Sequence, residues 1–214
     1  MPIIKTKRED VLRNIEVDRI LDKANEGITS YKPINPNSTS PGVTLRFNAS
    51  RIKCLIALLW IFGKRITENL KLKRKDIRIA HNYLYVHYIV LKKKSKKGEA
   101  LPERRLKRIT LDNPYVEHIL QYIEGITDPE AYVFSSSRSA YGHLSRNHAY
   151  RILKGLDRKV WLHLFRHSVA TEMAERGATE EELMAWFDWD RYDTAHGYVK
   201  GGPKLTEKWA KRTW

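Results

Sequence analysis

A chain of 214 residues with 42% hydrophobic residues is long enough for one sizeable core, or one domain plus an arm, and does not have the composition of a disordered tail. Its 40 Lys and Arg against 25 Asp and Glu leave a formal charge of +15, which favours nucleic acid over a merely solubilising basic surface or an anionic membrane. A single cysteine, Cys54, set in an apolar run, excludes an internal disulfide and a cysteine-built zinc site.

Met1 to Lys7 reads as a loose basic arm. Val17, Ile20, Leu21 and Ala24 mark one apolar face of a short helix ending near Gly27. Three prolines among polar residues make Ile28 to Val43 a loop. Asn48 or Ser50 caps the next helix, whose residues Ile52 to Phe62 leave almost no polar face, so it is the expected buried centre. Gly63 ends that helix, Arg65 sits just past the break, and a second short helix runs on through Leu70 and Leu72. The apolar run from Leu55 to Phe62 is too short to cross a bilayer, and no signal-peptide pattern opens the chain. A reducing, cytoplasmic and DNA-associated location is therefore expected.

Tyr83 to Leu91 has strand composition, with a shorter strand near Ile77 to Ile79 and an antiparallel partner at Leu106 to Leu111. The link between them, Lys92 to Arg105, is a basic, projecting hairpin end carrying Lys92, Lys93, Lys94, Lys96 and Lys97. Asn113-Pro114 opens a helix to about Glu124, Asp128-Pro129 marks a turn, and Tyr132 to Phe134 reads as a short strand. Ser145 caps a helix to Leu156. Another helix carries His163 and Arg166, buries Val169, Ala170 and Met173, and stops at Gly177. Thr179 with Glu182 is a capping box for a helix to about Phe187, and Asp193 is the expected cap of the segment bearing Tyr198. Gly201-Gly202-Pro203 then uncouples a last amphipathic piece, Leu205 to Trp214.

The chemistry concentrates in His163-Leu164-Phe165-Arg166-His167, followed by Trp189 and Tyr198. A tyrosine attacks only when its proton is removed, and a phosphodiester yields only when its oxygens are neutralised. Three residues apart, His163 and Arg166 would share a helical face, one assisting a hydroxyl and the other gripping a phosphate oxygen. Arg65, in Gly63-Lys64-Arg65-Ile66-Thr67-Glu68, supplies a second guanidinium, which Glu68 orients or whose helix it caps. Tyr192 is the nearest competitor of Tyr198.

These ordered motifs resemble the catalytic domain of the tyrosine recombinase and phage-type integrase family: Gly-Lys-Arg65-Ile-Thr-Glu68 after an apolar helix, a hairpin lysine, His163-Leu-Phe-Arg166-His167-Ser, Trp189, and a tyrosine nine residues later. The resemblance implies a mainly α fold with a small antiparallel β-sheet. It assigns Tyr198 the attack on the scissile phosphate, giving a 3′-phosphotyrosyl link and a free 5′-hydroxyl, with no metal, no cofactor and no ATP. Arg65 and Arg166 would hold the non-bridging oxygens, His163 would assist proton transfer, and Trp189 would donate its indole N–H to the phosphate. A hairpin lysine, Lys92 or alternatively Lys94, would protonate the departing oxygen. Lys93, Lys96 and Lys97 would contact DNA phosphates, and His167 would support from behind the reacting groups.

Three parts are expected: residues 1–16 as a basic arm, 17–200 as the catalytic domain, and 201–214 as a tail that either docks on a neighbouring protomer or packs on its own domain. Double-stranded DNA is the expected partner, held by a homotetramer on two synapsed duplexes, with a monomer compatible with the free state. The segment before Val17 is too short for the DNA-clamping helical domain many family members carry, which leaves a catalytic fragment or a minimal or archaeal form. Integration or excision of a mobile element is the expected setting. The alternatives are a chromosome-dimer resolvase, a type IB topoisomerase-like enzyme, or a non-catalytic DNA-binding accessory protein.

Overall fold

The computed structural model describes residues 11–32, 42–90, 103–161 and 163–200. At the centre lies α2 (Ala49–Phe62), buried at every residue from Cys54 onward, as its nearly unbroken apolar sequence predicts. The Asn48 side chain caps it, accepting from the Arg51 N–H at 2.8 Å. Gly63 closes it in the left-handed region (φ 58). A Cβ at Gly63 would lie 2.6 Å from Phe187 Cε1 and 3.2 Å from Val169 Cβ, so close packing as well as backbone conformation requires glycine.

Four helices pack against α2: α1 (Asn14–Ala24), α3 (Ile66–Leu70), α4 (Val116–Ile123) and α6 (Leu164–Glu175). In α1 the buried stripe is Val17, Ile20, Leu21 and Ala24, the face read from periodicity. The helix starts ahead of that stripe, and Leu12 before it is already in the core, with its N–H donated to Ser168 Oγ at 2.8 Å.

Where a loop was expected from Ile28, the chain instead forms β1 (Ile28–Tyr31), paired antiparallel with β2 (Val43–Arg46). Four-residue strands carrying Thr29, Ser30 and Thr44 hold too short an apolar alternation to be read from sequence. Their place is set by α5 (Arg146–Leu156), which approaches so closely that a Cβ at Gly155 would lie 2.7 Å from the Thr29 side chain.

A second sheet joins β3 (Ile77–Ala80), β4 (Tyr83–Val90) and β5 (Glu103–Thr110), all antiparallel and in chain order. Leu84, Val86 and Tyr88 form its buried face, and the β4–β5 register sets Lys107 opposite Val86 on that face. Tyr132 to Phe134 is not a strand: Tyr132 makes an isolated bridge to Lys73, and the Val133 N–H bonds Leu72 O at 2.8 Å. Ser145 caps α5 as expected.

Beyond α6, the Thr179–Glu182 capping box opens α7 (Glu180–Phe187), and α8 (Tyr192–Val199) follows. Asp193 lies inside α8 rather than capping it, because the helix begins at Tyr192 with Arg191 as its N-cap. The architecture is mainly helical with small antiparallel sheets, as predicted. Among the described residues, no helix is long and apolar enough to cross a membrane.

Candidate active site

The two arginines are held by different means. Arg65 is the N-cap of α3, where its N–H donates to Glu68 Oε2 at 2.8 Å and its guanidinium Nη1 to Glu68 Oε1 at 2.8 Å. Glu68 thus caps the helix and orients the arginine together. Arg166, in the first turn of α6, is buried and has backbone partners: Nη1 donates to Gly63 O at 3.1 Å and Nη2 to Phe187 O at 2.6 Å. Its guanidinium carbon also lies 4.9 Å from the Phe187 ring centre and 5.4 Å from that of Trp189. Burial, then the like charge of Arg65, pushes its pKa down to about 10. It remains a cation at neutral pH. Held by carbonyl dipoles, its charge stays available to an anion.

His163 and Arg166 differ in burial. Because α6 begins at Leu164, His163 occupies the cap position outside the helix and is exposed, while Arg166 points into the core. His167, one turn further on, faces α8, which packs on α6. Its Nδ1 lies 3.1 Å from the Tyr198 hydroxyl, with ring centres 5.4 Å apart. In the tautomer protonated at Nε2, Nδ1 accepts the phenolic hydrogen. The histidine at the tyrosine is therefore His167, which sequence reasoning had placed only in support. His163 lies edge-on to Trp161, 6.5 Å away between ring centres, and Trp161 is also 6.1 Å from His167.

Burial raises the pKa of Tyr198, with Arg166 pulling the other way, so the hydroxyl is protonated at neutral pH and needs a base to attack. Trp189 stacks on both Phe187, at 4.7 Å, and Tyr198, at 5.3 Å. The resulting three-ring column links the end of α7 to the tyrosine helix and covers Arg166. Tyr192 is half exposed and stacks on His196 at 5.7 Å instead.

Sequence reasoning missed a charge cluster beneath this column. Lys64, 2% exposed, donates from Nζ to the Asp188 carboxylate and, at 2.8 Å, to Trp186 O. Lys107 donates to Ala185 O at 2.5 Å and to Asp188 Oδ1 at 3.3 Å. Their only signal in the sequence was adjacency, Lys64 beside Arg65 and Asp188 beside Trp189; a charge read from sequence looks solvated until tertiary packing encloses it. A cleft of about 480 Å³ opens between β5 and the α7–α8 turn, lined by Arg104, Arg105, Lys107, Asp188 and Trp189. A second groove, of about 830 Å³, runs along the start of α5 with Arg46, Arg51, Arg138 and His148 on its walls.

The hairpin residues Lys92, Lys93, Lys94, Lys96 and Lys97, and the tail from Gly201 to Trp214, lie outside the described residues. Among the described residues no cluster of His, Cys, Asp and Glu has the form of a metal site.

This architecture is that of tyrosine recombinase catalytic domains. Residues 11–202 match the Phage integrase family, and the chain belongs to that family. A relative, Tyrosine recombinase XerA of Pyrococcus furiosus, is 32% identical over 132 residues, which cover 59% of this chain and 42% of that protein. The chain thus spans less than half the length of that relative. The crystal structure of XerA recombinase superposes with a TM-score of 0.62 at 16% identity, covering 100% of this chain and 67% of the other. XerH site-specific recombinase, bound to its difH substrate before cleavage, superposes at 0.60 with 16% identity, covering 94% and 53%.

Proposed function

We propose that this protein is a site-specific DNA recombinase that cuts and rejoins strands through a covalent 3′-phosphotyrosyl link at Tyr198. The observation that carries this reading is the Tyr198 hydroxyl at 3.1 Å from His167 Nδ1, on a ring column that covers the buried cation Arg166. Arg166 and Arg65 neutralise the non-bridging oxygens. The Tyr198 oxygen bonds to phosphorus as its proton passes to His167, and the bond from phosphorus to the 5′-oxygen breaks. His163, exposed at the start of α6, approaches the phosphate from the solvent side in this reading, and the Trp189 indole N–H donates to it. The leaving 5′-oxygen takes its proton from a hairpin lysine, Lys92 or alternatively Lys94.

Energy of the broken bond is kept in the phosphotyrosine, so the reaction proceeds without metal or ATP. Lys93, Lys96 and Lys97 contact backbone phosphates, and the groove bearing Arg46, Arg51 and Arg138 adds further contacts. With Leu12 in the core and α1 beginning at Asn14, the catalytic domain reaches back past residue 17 and runs to residue 200, the basic arm is confined to the residues before Leu12, and 201–214 is a tail that docks on the next protomer of a tetramer holding two duplexes. The working location is the DNA-containing cytoplasm.

The test uses a pool of nicked duplexes with randomised sequence, trapped with detergent. Wild-type protein is expected to give a detergent-stable protein–DNA adduct, and Tyr198→Phe to give none while binding DNA equally well. Binding without any wild-type adduct is the behaviour of an accessory DNA-binding protein. An adduct surviving in Tyr198→Phe would move the nucleophile to Tyr192.

A further inference from the structure

Three consecutive carbonyls at the C-terminal end of α7 each receive a buried cation from a different part of the chain. Ala185 O accepts from Lys107 of β5, Trp186 O from Lys64 at the α2–α3 junction, and Phe187 O from Arg166 of α6. The helix has no basic residue of its own in its last turn, while Glu180, Glu181 and Glu182 occupy its first. Its dipole is therefore completed through tertiary structure, with anions at the positive end and imported cations at the negative end.

The next residue, Asp188, sits in the left-handed conformation (φ 53, ψ 47), from which its N–H and that of Trp189 return to Met184 O. The side chain of this cap, 8% exposed, reaches both lysines, and Arg105 Nε lies 3.9 Å from the same carboxylate. Lys107 and Arg166 both act on Lys64 as like charges, and Asp188 opposes them. Without that carboxylate, cations converge on one helix end with no anion between them.

We propose that Asp188 is a positioning residue for the strand-cleavage site, its carboxylate clamping Lys64 and Lys107 so that the end of α7 presents Trp189 and Arg166 in register with Tyr198. This rests on the strand-transfer reading above. The geometry favours it because Asp188 precedes Trp189 in the chain, Lys64 precedes Arg65, and Arg166 shares both Gly63 and Phe187 with the junctions that Asp188 joins. A shift of the α7 end moves the ring column against which Tyr198 stacks.

The experiment measures single-turnover cleavage of a nicked duplex recovered from the adduct pool, at saturating protein, alongside DNA affinity and thermal stability. Asp188→Asn is expected to slow cleavage by about 10- to 100-fold with affinity changed less than about twofold, as for a displaced but intact catalytic set. Asp188→Gly, which accommodates the left-handed turn but has no carboxylate, should be slowed to the same extent. Removing the surplus cation in Asp188→Asn with Lys64→Met should recover a large part of the rate. Wild-type cleavage in both single variants overturns the proposal, as does a slow Asp188→Asn beside a fast Asp188→Gly, which would assign the effect to the backbone turn. If Asp188→Asn does not fold, Asp188→Gly and the double variant decide in the same way.

If the wild-type protein forms no adduct, the strand-transfer reading falls. The clamp is then read from the indole Nε1–H resonance of Trp189, assigned by its loss in Trp189→Phe. It should shift in Asp188→Gly and return toward its wild-type position when Lys64→Met is added; an unmoved resonance overturns the clamp itself.

Discussion

Arg65 and Arg166 have the same proposed partner, a phosphate oxygen, yet they belong to opposite kinds of region. At the α2–α3 junction, Arg65 is fixed by one carboxylate within its own helical turn, Glu68, and remains partly exposed with its side chain 19% accessible. In the first turn of α6, Arg166 is buried and fixed by carbonyls of Gly63 and Phe187, far away in sequence. A paired, accessible guanidinium is a local device. A buried one bonded to two junctions is part of the packing, so the phosphate site and the core cannot be altered separately there.

The strongest way to break this contrast is Arg166→Ala. Cleavage should fall by about three orders of magnitude, the upper end for losing one preorganised donor. Stability should fall as well, because two buried carbonyls lose donors at roughly 1–3 kcal/mol each, a drop in melting temperature on the order of 10 °C. A variant that is inactive but melts with the wild type would show that the carbonyl contacts contribute nothing to the fold.

Arg65→Ala should cost about two orders of magnitude in cleavage, again for one donor, and lower melting less than Arg166→Ala does, because the buried Glu68 carboxylate loses the guanidinium but keeps the backbone N–H of residue 65 as a donor. Comparable melting losses in the two alanine variants would erase the distinction between the regions.

The smallest effect sharpens the boundary between them, which runs between Lys64 and Arg65. Burial, followed by the repulsion of Lys107, lowers the Lys64 pKa from an ordinary 10.5 to about 8. Between these values the unfolded chain holds more protons at this residue than the folded one, so its contribution to stability rises with pH. Below about pH 8 the lysine is protonated in both states and contributes no slope. The unfolding free energy of wild type minus that of Lys64→Met, measured in denaturant, should therefore be flat to pH 8 and climb toward pH 10, at no more than about 1.4 kcal/mol per pH unit. A difference flat throughout would mean that Lys64 titrates like an exposed lysine.

The sequence by itself determined what is local. The apolar run of α2, the Asn48, Ser145 and Thr179 caps, the glycine at 63, the β4–β5 pairing and the Arg65–Glu68 pair each depend on residues close in the chain, whose spacing records the constraint. Motif order was likewise sufficient for the resemblance to the family. Tertiary structure decided whatever depends on the phase between elements. The packing of α8 on α6 sets His167, rather than the exposed cap residue His163, against Tyr198, and neither propensity nor pattern records which histidine meets a partner 31 residues away. The short β1–β2 pair exists because α5 packs on it, not because four residues encode it. Lys64, Lys107 and Asp188 are ordinary surface charges in the sequence, and only the convergence of α2, β5 and α7 removes them from water and makes them depend on one another.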